Sequence, residues 1–371
     1  MAAFRVVICG GGIAAVEGLL RLRRLAGDAC EVTLLSPADE LRYRPVAVQE
    51  PFARPAAPRF PMRRIARETD TEWVQDALKR VDPDEQQVHT SEGRALPYDA
   101  LLVAVGAGVK VPYERVTVFD DAQPDETYHG IVQDVEGGYT TKIAFLLPEG
   151  PAWPLPVYEL ALMTAERAHS MSLDDLRVDV VTAEPAPLAP FGQGASDAVR
   201  GLLDRFGITL HTDSTAEVPG SRRLIVHPSG LELDPDRIVA MPRIVGPALR
   251  GLPAAEDGFL PIDEHCRVKG LDGRVFAAGD AVDYPIKHGG LGAQMADVAA
   301  GGIHALAGGA DDPPELRPVI RGVLYTGEEP LYVSAWQEET GIVSKVSTER
   351  SWPADEKVVA EELGPFLKIL G

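Results

Sequence analysis

Three consecutive glycines, Gly10 to Gly12, stand directly behind an apolar run and directly in front of a helical pattern, and they constrain the fold more than any other feature. Phe4 to Cys9 reads as a strand. Ala14 to Leu25 carries apolar residues at helical spacing, with Arg21, Arg23 and Arg24 near its end, where cations favour the helix dipole. Glu31 to Leu35 is β-branched and apolar and is closed by Ser36-Pro37. Strand, tight turn, helix and strand make a βαβ unit, which predicts an α/β fold with a parallel sheet covered on both faces. Within it, Gly10-x-Gly12-x-x-Ala15 is a dinucleotide-binding pattern. Gly10 permits the turn, Gly12 lets backbone approach a pyrophosphate, and Ala15 packs helix on sheet, with Ile13 and Ala14 on the same phosphate-facing helix start.

One position departs from that pattern. The residue closing the second strand is usually acidic and holds the ribose hydroxyls, but Ser36 followed by Pro37 stands there. Ser36 offers one hydrogen bond, and Arg42 or Arg44 is the alternative partner.

The remaining chain supports two nucleotide-fold halves. After a proline-frequent stretch from Pro45 to Pro61, short strand-like pieces at Trp73 to Val81 and Gln87 to Thr90 precede the apolar run Leu101 to Val105, which enters Gly106. A second unit begins at Ile143 to Leu147, continues in a helix from Val157 to Ala168 and reaches a strand at Val178 to Thr182. Its turn reads Pro148-Glu149-Gly150-Pro151-Ala152-Trp153-Pro154. Prolines remove backbone donors, Glu149 repels phosphate, and Trp153 is bulky where close approach is needed, so this half reads as a nicotinamide fold that has lost or changed its ligand. Glu184, at the end of the next strand, either holds an NADH ribose or is an exposed strand-end glutamate. Val275 to Ala278 is a further strand ending in Gly279-Asp280, and a Gly/Ala-rich helix follows from about Leu291 to Leu306. Residues 317–371 alternate like a hairpin around Gly327 to Pro330 and end in a helical pattern from Asp355.

The charge balance excludes some partners. Thirty-six Lys+Arg against 56 Asp+Glu leave a net charge of −20, which repels nucleic-acid phosphates and anionic lipid headgroups. The three cysteines, Cys9, Cys30 and Cys266, form neither a metal-binding spacing nor an even disulfide set, and they fit a reducing, cytoplasmic compartment. The N-terminal apolar run is too brief for a signal peptide, and no stretch approaches the roughly 20 apolar residues of a membrane helix. No metal site is expected.

Gly10 to Ala15, Leu101 to Gly106 and Val275 to Asp280 together resemble the flavin-binding segments of the pyridine nucleotide-disulfide oxidoreductase superfamily, in its sulfide:quinone oxidoreductase and type II NADH dehydrogenase branch. The resemblance covers about residues 4–306. It implies a split FAD-binding domain (1–110 and 250–316), an NAD(P)-binding-like domain (111–249) and a C-terminal segment (317–371). It places Asp280, with Gly279, on the flavin ribitol, Arg44 and Pro45 near the flavin, Gln49 near its ring system, and Leu78 beside the adenine. Ala104, Val105 and Gly106 border the cofactor, as do Gly290 and Leu291 at the start of the late helix. That helix N-terminus and Lys287 would stabilise negative charge on a reduced flavin.

The same resemblance sets the acceptor side. Ala293-Gln294-Met295-Ala296 is similar to the segment bordering the quinone site of type II NADH dehydrogenases, the alternative being small-residue helix packing. Tyr158-Glu159-Leu160-Ala161 matches a segment that places a glutamate near the flavin. Glu159 is either a proton relay, its pKa raised by burial, or a helix-start carboxylate favoured by the dipole. Relatives in the sulfide branch use cysteines at two places where this chain has none. The expectation is therefore an FAD-dependent oxidoreductase moving electrons from a small-molecule donor to a quinone or similar acceptor without cysteine chemistry. NAD(P)H reduction through an atypical turn around Gly150, or a non-catalytic flavin-binding sensor, are the alternatives. The apolar face from Val358 to Leu370 is expected to pack on the protein or in a homodimer contact, with at most transient membrane approach. Trp336, Tyr325, Tyr332 and Trp352 are candidate pocket walls.

Overall fold

The computed structural model describes residues 3–309, 313–352 and 357–371. Its N-terminal strand β1 (Phe4–Cys9) leads through the glycines into α1 (Ile13–Ala26) and β2 (Cys30–Leu35). The strands β3 (Glu72–Val74), β4 (Ala100–Val103) and the much later β10 (Val275–Ala277) complete a parallel sheet in the order β10-β4-β1-β2-β3. The run expected over Trp73 to Val81 is broken. Asp76 spends its carboxylate on the amides of Ala77 and Glu92, and the chain turns there into a small antiparallel sheet over residues 78–97.

A second parallel sheet repeats the plan. It comprises β5 (Thr117–Val118), β6 (Lys142–Leu147), β7 (Arg177–Thr182), β8 (Thr209–His211) and β9 (Arg237–Ala240), in the order β5-β9-β6-β7-β8. Helix α2 (Leu155–Ser170) links β6 to β7 and α3 (Gln193–Arg205) links β7 to β8. β6 reads as a near-continuous apolar run because it is buried on both faces.

Helix α4 (Gly289–Leu306) packs along α1 against the first sheet, and its Leu291 enters the core of the second. The antiparallel sheet β11 (Val319–Leu324), β12 (Leu331–Glu338) and β13 (Gly341–Ser347) follows, and α5 (Leu363–Leu370) ends the chain. The C-terminal segment serves two cores. Ile320, Leu324, Val333 and Ala335 join the core of the second sheet, whereas Val358, Leu363 and Leu370 join that of the first. The helical pattern expected from Asp355 is met only from Leu363, where α5 begins, since residues 357–362 are not helical, while residues 353–356, with Asp355, lie outside the described residues. Glu17, fully buried on α1, accepts the backbone N–H groups of Glu362 and Leu363 and so satisfies the open donors at the start of α5. No helix among the described residues is long and apolar enough to cross a membrane.

Candidate active site

In a parallel sheet of this kind, ligands bind beyond the carboxyl ends of the strands where the crossover direction reverses. In the first sheet that point lies between β1, whose chain crosses through α1 to β2, and β4 on its other side. The strand ends are stitched together there. Gly10 N–H donates to Leu35 O at 2.8 Å, Ala104 N–H to Cys9 O at 2.8 Å and Ala278 N–H to Val103 O at 3.0 Å. Gly10 holds φ +138°, and a β-carbon on it would lie 2.1 Å from the Ala104 carbonyl oxygen. Gly12, the N-cap of α1, faces open space and has no side-chain cap, which leaves the helix-start amides available.

The turn expected to carry Asp280 meets this loop. Gly279, at φ +75°, packs on Ala14 and on Gly292 of α4, so the β10 turn, α1 and α4 converge. Ala104 is buried, while Val105 and Gly106, directly after it, are half-buried. Asp280 accepts no hydrogen bond from the described residues. Burial raises its pKa, opposed by the positive charges of Lys287 and Arg44. An uncapped helix start and a carboxylate without a protein donor together fit a ligand bearing both phosphate and hydroxyl groups, as FAD does.

The remaining expected residues have specific surroundings. Arg44 pairs with Asp121 at 3.5 Å and opens a tight helical segment, Arg44–Phe52, that contains Pro45 and the half-buried Gln49. Arg42 is engaged with Glu50 at 2.8 Å and with the Ala122 carbonyl. Ser36 is buried, and its hydroxyl donates to Ala38 O at 3.4 Å, while Pro37 is exposed. Leu78 opens the small antiparallel sheet and pairs with Thr90. Lys287 is buried: its ammonium donates to Val282 O at 2.5 Å and sits 3.5 Å from the centre of the Phe259 ring, and burial lowers its pKa to about 8.

At the start of α4, buried His288 accepts the Leu291 N–H on Nδ1 at 3.3 Å and stacks on Trp153 with ring centres 4.1 Å apart. Burial pushes its pKa down to about 3, so it is neutral at ordinary pH. Gly290 and Leu291 are buried on the first turn behind it. Gln294, expected on the acceptor side, is already committed. Its amide donates to Gly290 O and Val319 O and accepts from Val319 N–H, all within 3.0 Å, so it fastens α4 to β11.

Glu159 lies fully buried on α2, and its Oε1 accepts Lys357 Nζ at 2.5 Å and Tyr325 N–H at 3.0 Å. Its Oε2 is buried without a hydrogen-bond partner among the described residues. Lys357 also lies 4.3 Å from the centre of the Tyr325 ring. Burial raises the pKa of Glu159, opposed by the Lys357 charge, and lowers that of Lys357. Lys357 escaped sequence reading. Its only signal is a lysine set directly before the apolar pair Val358-Val359.

Tyr332 packs edge-on against Trp352 at 5.4 Å, and Trp336 donates to Glu338 and carries Lys345 over its ring, so it faces other partners. All three cysteines are buried. Burial raises each thiol pKa, that of Cys266 to about 12, and Cys30 opens β2 rather than preceding it. Among the described residues, no three His, Cys, Asp or Glu are placed to hold a metal ion.

The second sheet has its own crevice, of about 420 Å³, at the carboxyl ends of β6 and β7. It does not fit a dinucleotide phosphate. Pro154 caps α2, Pro156 removes one of its early amides, and no lysine or arginine lines the space.

Residues 4–136 match the family model described as pyridine nucleotide-disulphide oxidoreductase. The sulfide-quinone reductase of Aquifex aeolicus (strain VF5) is 25% identical over 226 residues, 57% of this chain and 50% of that protein. The mitochondrial sulfide:quinone oxidoreductase of Mus musculus is 24% identical over 114 residues, 30% of this chain and 25% of that protein. The matches thus span half or less of the curated relatives. Among solved structures, the sulfide:quinone oxidoreductase of Aquifex aeolicus superposes with a TM-score of 0.83 at 18% identity, covering 93% of this chain and 87% of that one. NDH2 from Plasmodium falciparum in complex with NADH gives 0.61 at 15% identity, covering 77% of this chain and 65% of that one. At these identities the superpositions speak for the fold.

Proposed function

We propose that this chain, which belongs to the pyridine nucleotide-disulphide oxidoreductase superfamily, is an FAD-dependent oxidoreductase passing electrons from a small-molecule donor to a quinone or similar flat acceptor. The observation that carries the reading is the convergence of the Gly10 loop, the Gly279-Asp280 turn and the start of α4 at the carboxyl ends of the first sheet, with an Asp280 carboxylate that no described residue satisfies. The names of the matched relatives add the quinone as acceptor class.

Bound FAD supplies the two-electron redox chemistry. The chain's own groups do the rest. The uncapped start of α1 would receive phosphate, Asp280 would accept hydrogen bonds from hydroxyl groups, and the α4 N-terminus would favour negative charge near it. Glu159 and Lys357 hold a proton in a buried pair, and Glu159 Oε2 has no other partner, so the pair is suited to handing that proton to a reduced acceptor.

The reading assigns no step to a thiol, in keeping with three cysteines that are buried with thiol pKa values pushed up. It also excludes NAD(P)H as the usual donor, on the prolines at the second crevice. Small-molecule exchange needs no stable membrane insertion, and a quinone dissolved in lipid requires only transient approach.

The test is direct. Purified protein should be yellow and release FAD on denaturation. Anaerobic NADH and NADPH should leave the flavin band unbleached where dithionite bleaches it, and the dithionite-reduced protein should be reoxidised by decylubiquinone. Colourless protein without FAD overturns the flavin reading, rapid NADH bleaching restores the nicotinamide site, and failure of reoxidation removes the quinone.

A further inference from the structure

The crevice of the second sheet remains unassigned by this function. It is a cleft of about 420 Å³ at the carboxyl ends of β6 and β7, walled by Leu147, Pro190, Pro285 and Ile286, with Glu149 and Glu184 as its charged groups. Its chemistry is one-sided. Four of its lining residues, Pro148, Pro154, Pro190 and Pro285, have no amide proton, and Ala152 N–H is already given to Pro285 O at 3.2 Å. The wall therefore offers carbonyls, carboxylates and apolar surface, and few donors.

Glu184 is held but not satisfied. Its Oε2 accepts the Tyr158 hydroxyl at 2.7 Å and the Thr182 hydroxyl at 3.3 Å, the Ala189 backbone N–H also favours its ionised form, and Oε1 is buried with no hydrogen-bond partner within 3.5 Å among the described residues. Tyr158 reaches it from α2, Thr182 belongs to its own strand, Glu149 lies across the cleft, and Asp213 is tied to the Glu184 carbonyl through its backbone amide. No lysine or arginine lines the space.

We propose that this cleft is a binding site for an organic ammonium ion, an apolar body carrying one protonated amine, with Glu184 as the counter-ion. A wall rich in acceptors and poor in donors selects a ligand that brings its own donors, and a carboxylate without a cationic partner selects one that brings positive charge. The net charge of −20 concentrates such cations around the protein and disfavours phosphorylated ligands. The site is independent of the flavin reading and goes beyond it.

Binding is coupled to protons. Burial raises the Glu184 pKa to about 7, so the site is only half ionised at neutral pH until a cation enters. An ammonium that stays protonated throughout should bind about tenfold more tightly at about pH 8 than at about pH 6, following the ionised fraction of Glu184.

The experiment is isothermal titration of the purified holoprotein with benzylamine, with benzyl alcohol and NADH as comparison ligands. Saturable benzylamine binding with that pH dependence, and at least about tenfold weaker binding of benzyl alcohol, is expected. Glu184→Gln should lower benzylamine affinity about tenfold or more and abolish its pH dependence. Tyr158→Phe keeps the acid and its cavity and removes the hydroxyl that favours ionisation, so the rise in affinity should move to higher pH. Absence of benzylamine binding to wild-type protein, equal affinity for benzyl alcohol, pH-independent binding, or tighter binding of NADH each overturns the proposal. None of these readouts depends on flavin content, so a colourless protein tests it equally well.

Discussion

Lys357 Nζ lies 2.5 Å from Glu159 Oε1, and neither side chain is more than 5% exposed. The partners are 198 residues apart and reach one another only because the C-terminal chain crosses from the core of the second sheet to that of the first. Tyr325, at the end of β11, closes the pair by giving its backbone N–H to the same oxygen. Two buried charges gain from each other mainly by avoiding the cost of standing alone.

Lys357→Met should therefore destabilise the protein by about 3 kcal/mol, because it strands a buried carboxylate. Adding Glu159→Gln to Lys357→Met should return most of that stability, since the second change removes the orphaned charge. Quinone turnover should remain low in both. Denaturant melts and steady-state kinetics check this, and a double variant no more stable than the single one would show that the pair is not coupled in this way.

Asp280→Ala should cost the protein its flavin while leaving the fold intact. A carboxylate-to-hydroxyl hydrogen bond contributes about 1.5–3 kcal/mol, so the FAD dissociation constant should rise at least about tenfold. Far-ultraviolet circular dichroism separates this from misfolding. Unchanged FAD occupancy after dialysis would remove Asp280 from the cofactor contact.

The Rossmann opening was readable because each local signal agreed with the next: β-strand run, glycine turn, helix period, β-strand run. β1, α1, β2, β6, α2, β7 and α4 fall within a few residues of where the sequence places them. For the candidate site, the sequence indicates that Gly10 and Asp280 meet near one another, because chemistry and chain position coincide there. Lys357 and the Trp153–His288 stack depend on tertiary pairing between distant segments, which no periodicity carries. Gln294 shows a second reading that the sequence does not carry. The resemblance of its segment points to an acceptor contact, while an amide on a half-buried helix face beside an edge strand also finds backbone partners.

Gln294→Ala accordingly tests fastening against catalysis. It removes the side-chain partners of both Val319 backbone groups, at a cost of about 1–3 kcal/mol. The expected result is a lower melting temperature with normal FAD content and an unchanged KM for quinone. A raised KM with unaltered stability would return Gln294 to the acceptor site.

Asp297 links stability to pH through the helix pair α1 and α4. Its Oδ1 is buried without a hydrogen-bond partner among the described residues, and burial together with the negative charge of Glu17 raises its pKa to about 8, with Arg21 opposing and Glu361 and Glu362 adding. The folded state thus keeps a proton that an unfolded aspartate, titrating near 3.8, releases. The stabilisation is complete below that value and is lost as pH rises through about 8. Glu184 acts in the same direction up to about 7, whereas Lys287, lowered to about 8, favours the folded state as pH rises beyond that. Asp297→Asn should therefore melt at higher temperature than wild type at about pH 9 and show a smaller fall in melting temperature between about pH 6 and pH 9. Thermal melts across that range decide it, and parallel curves for the two proteins would show that Asp297 does not hold the proton.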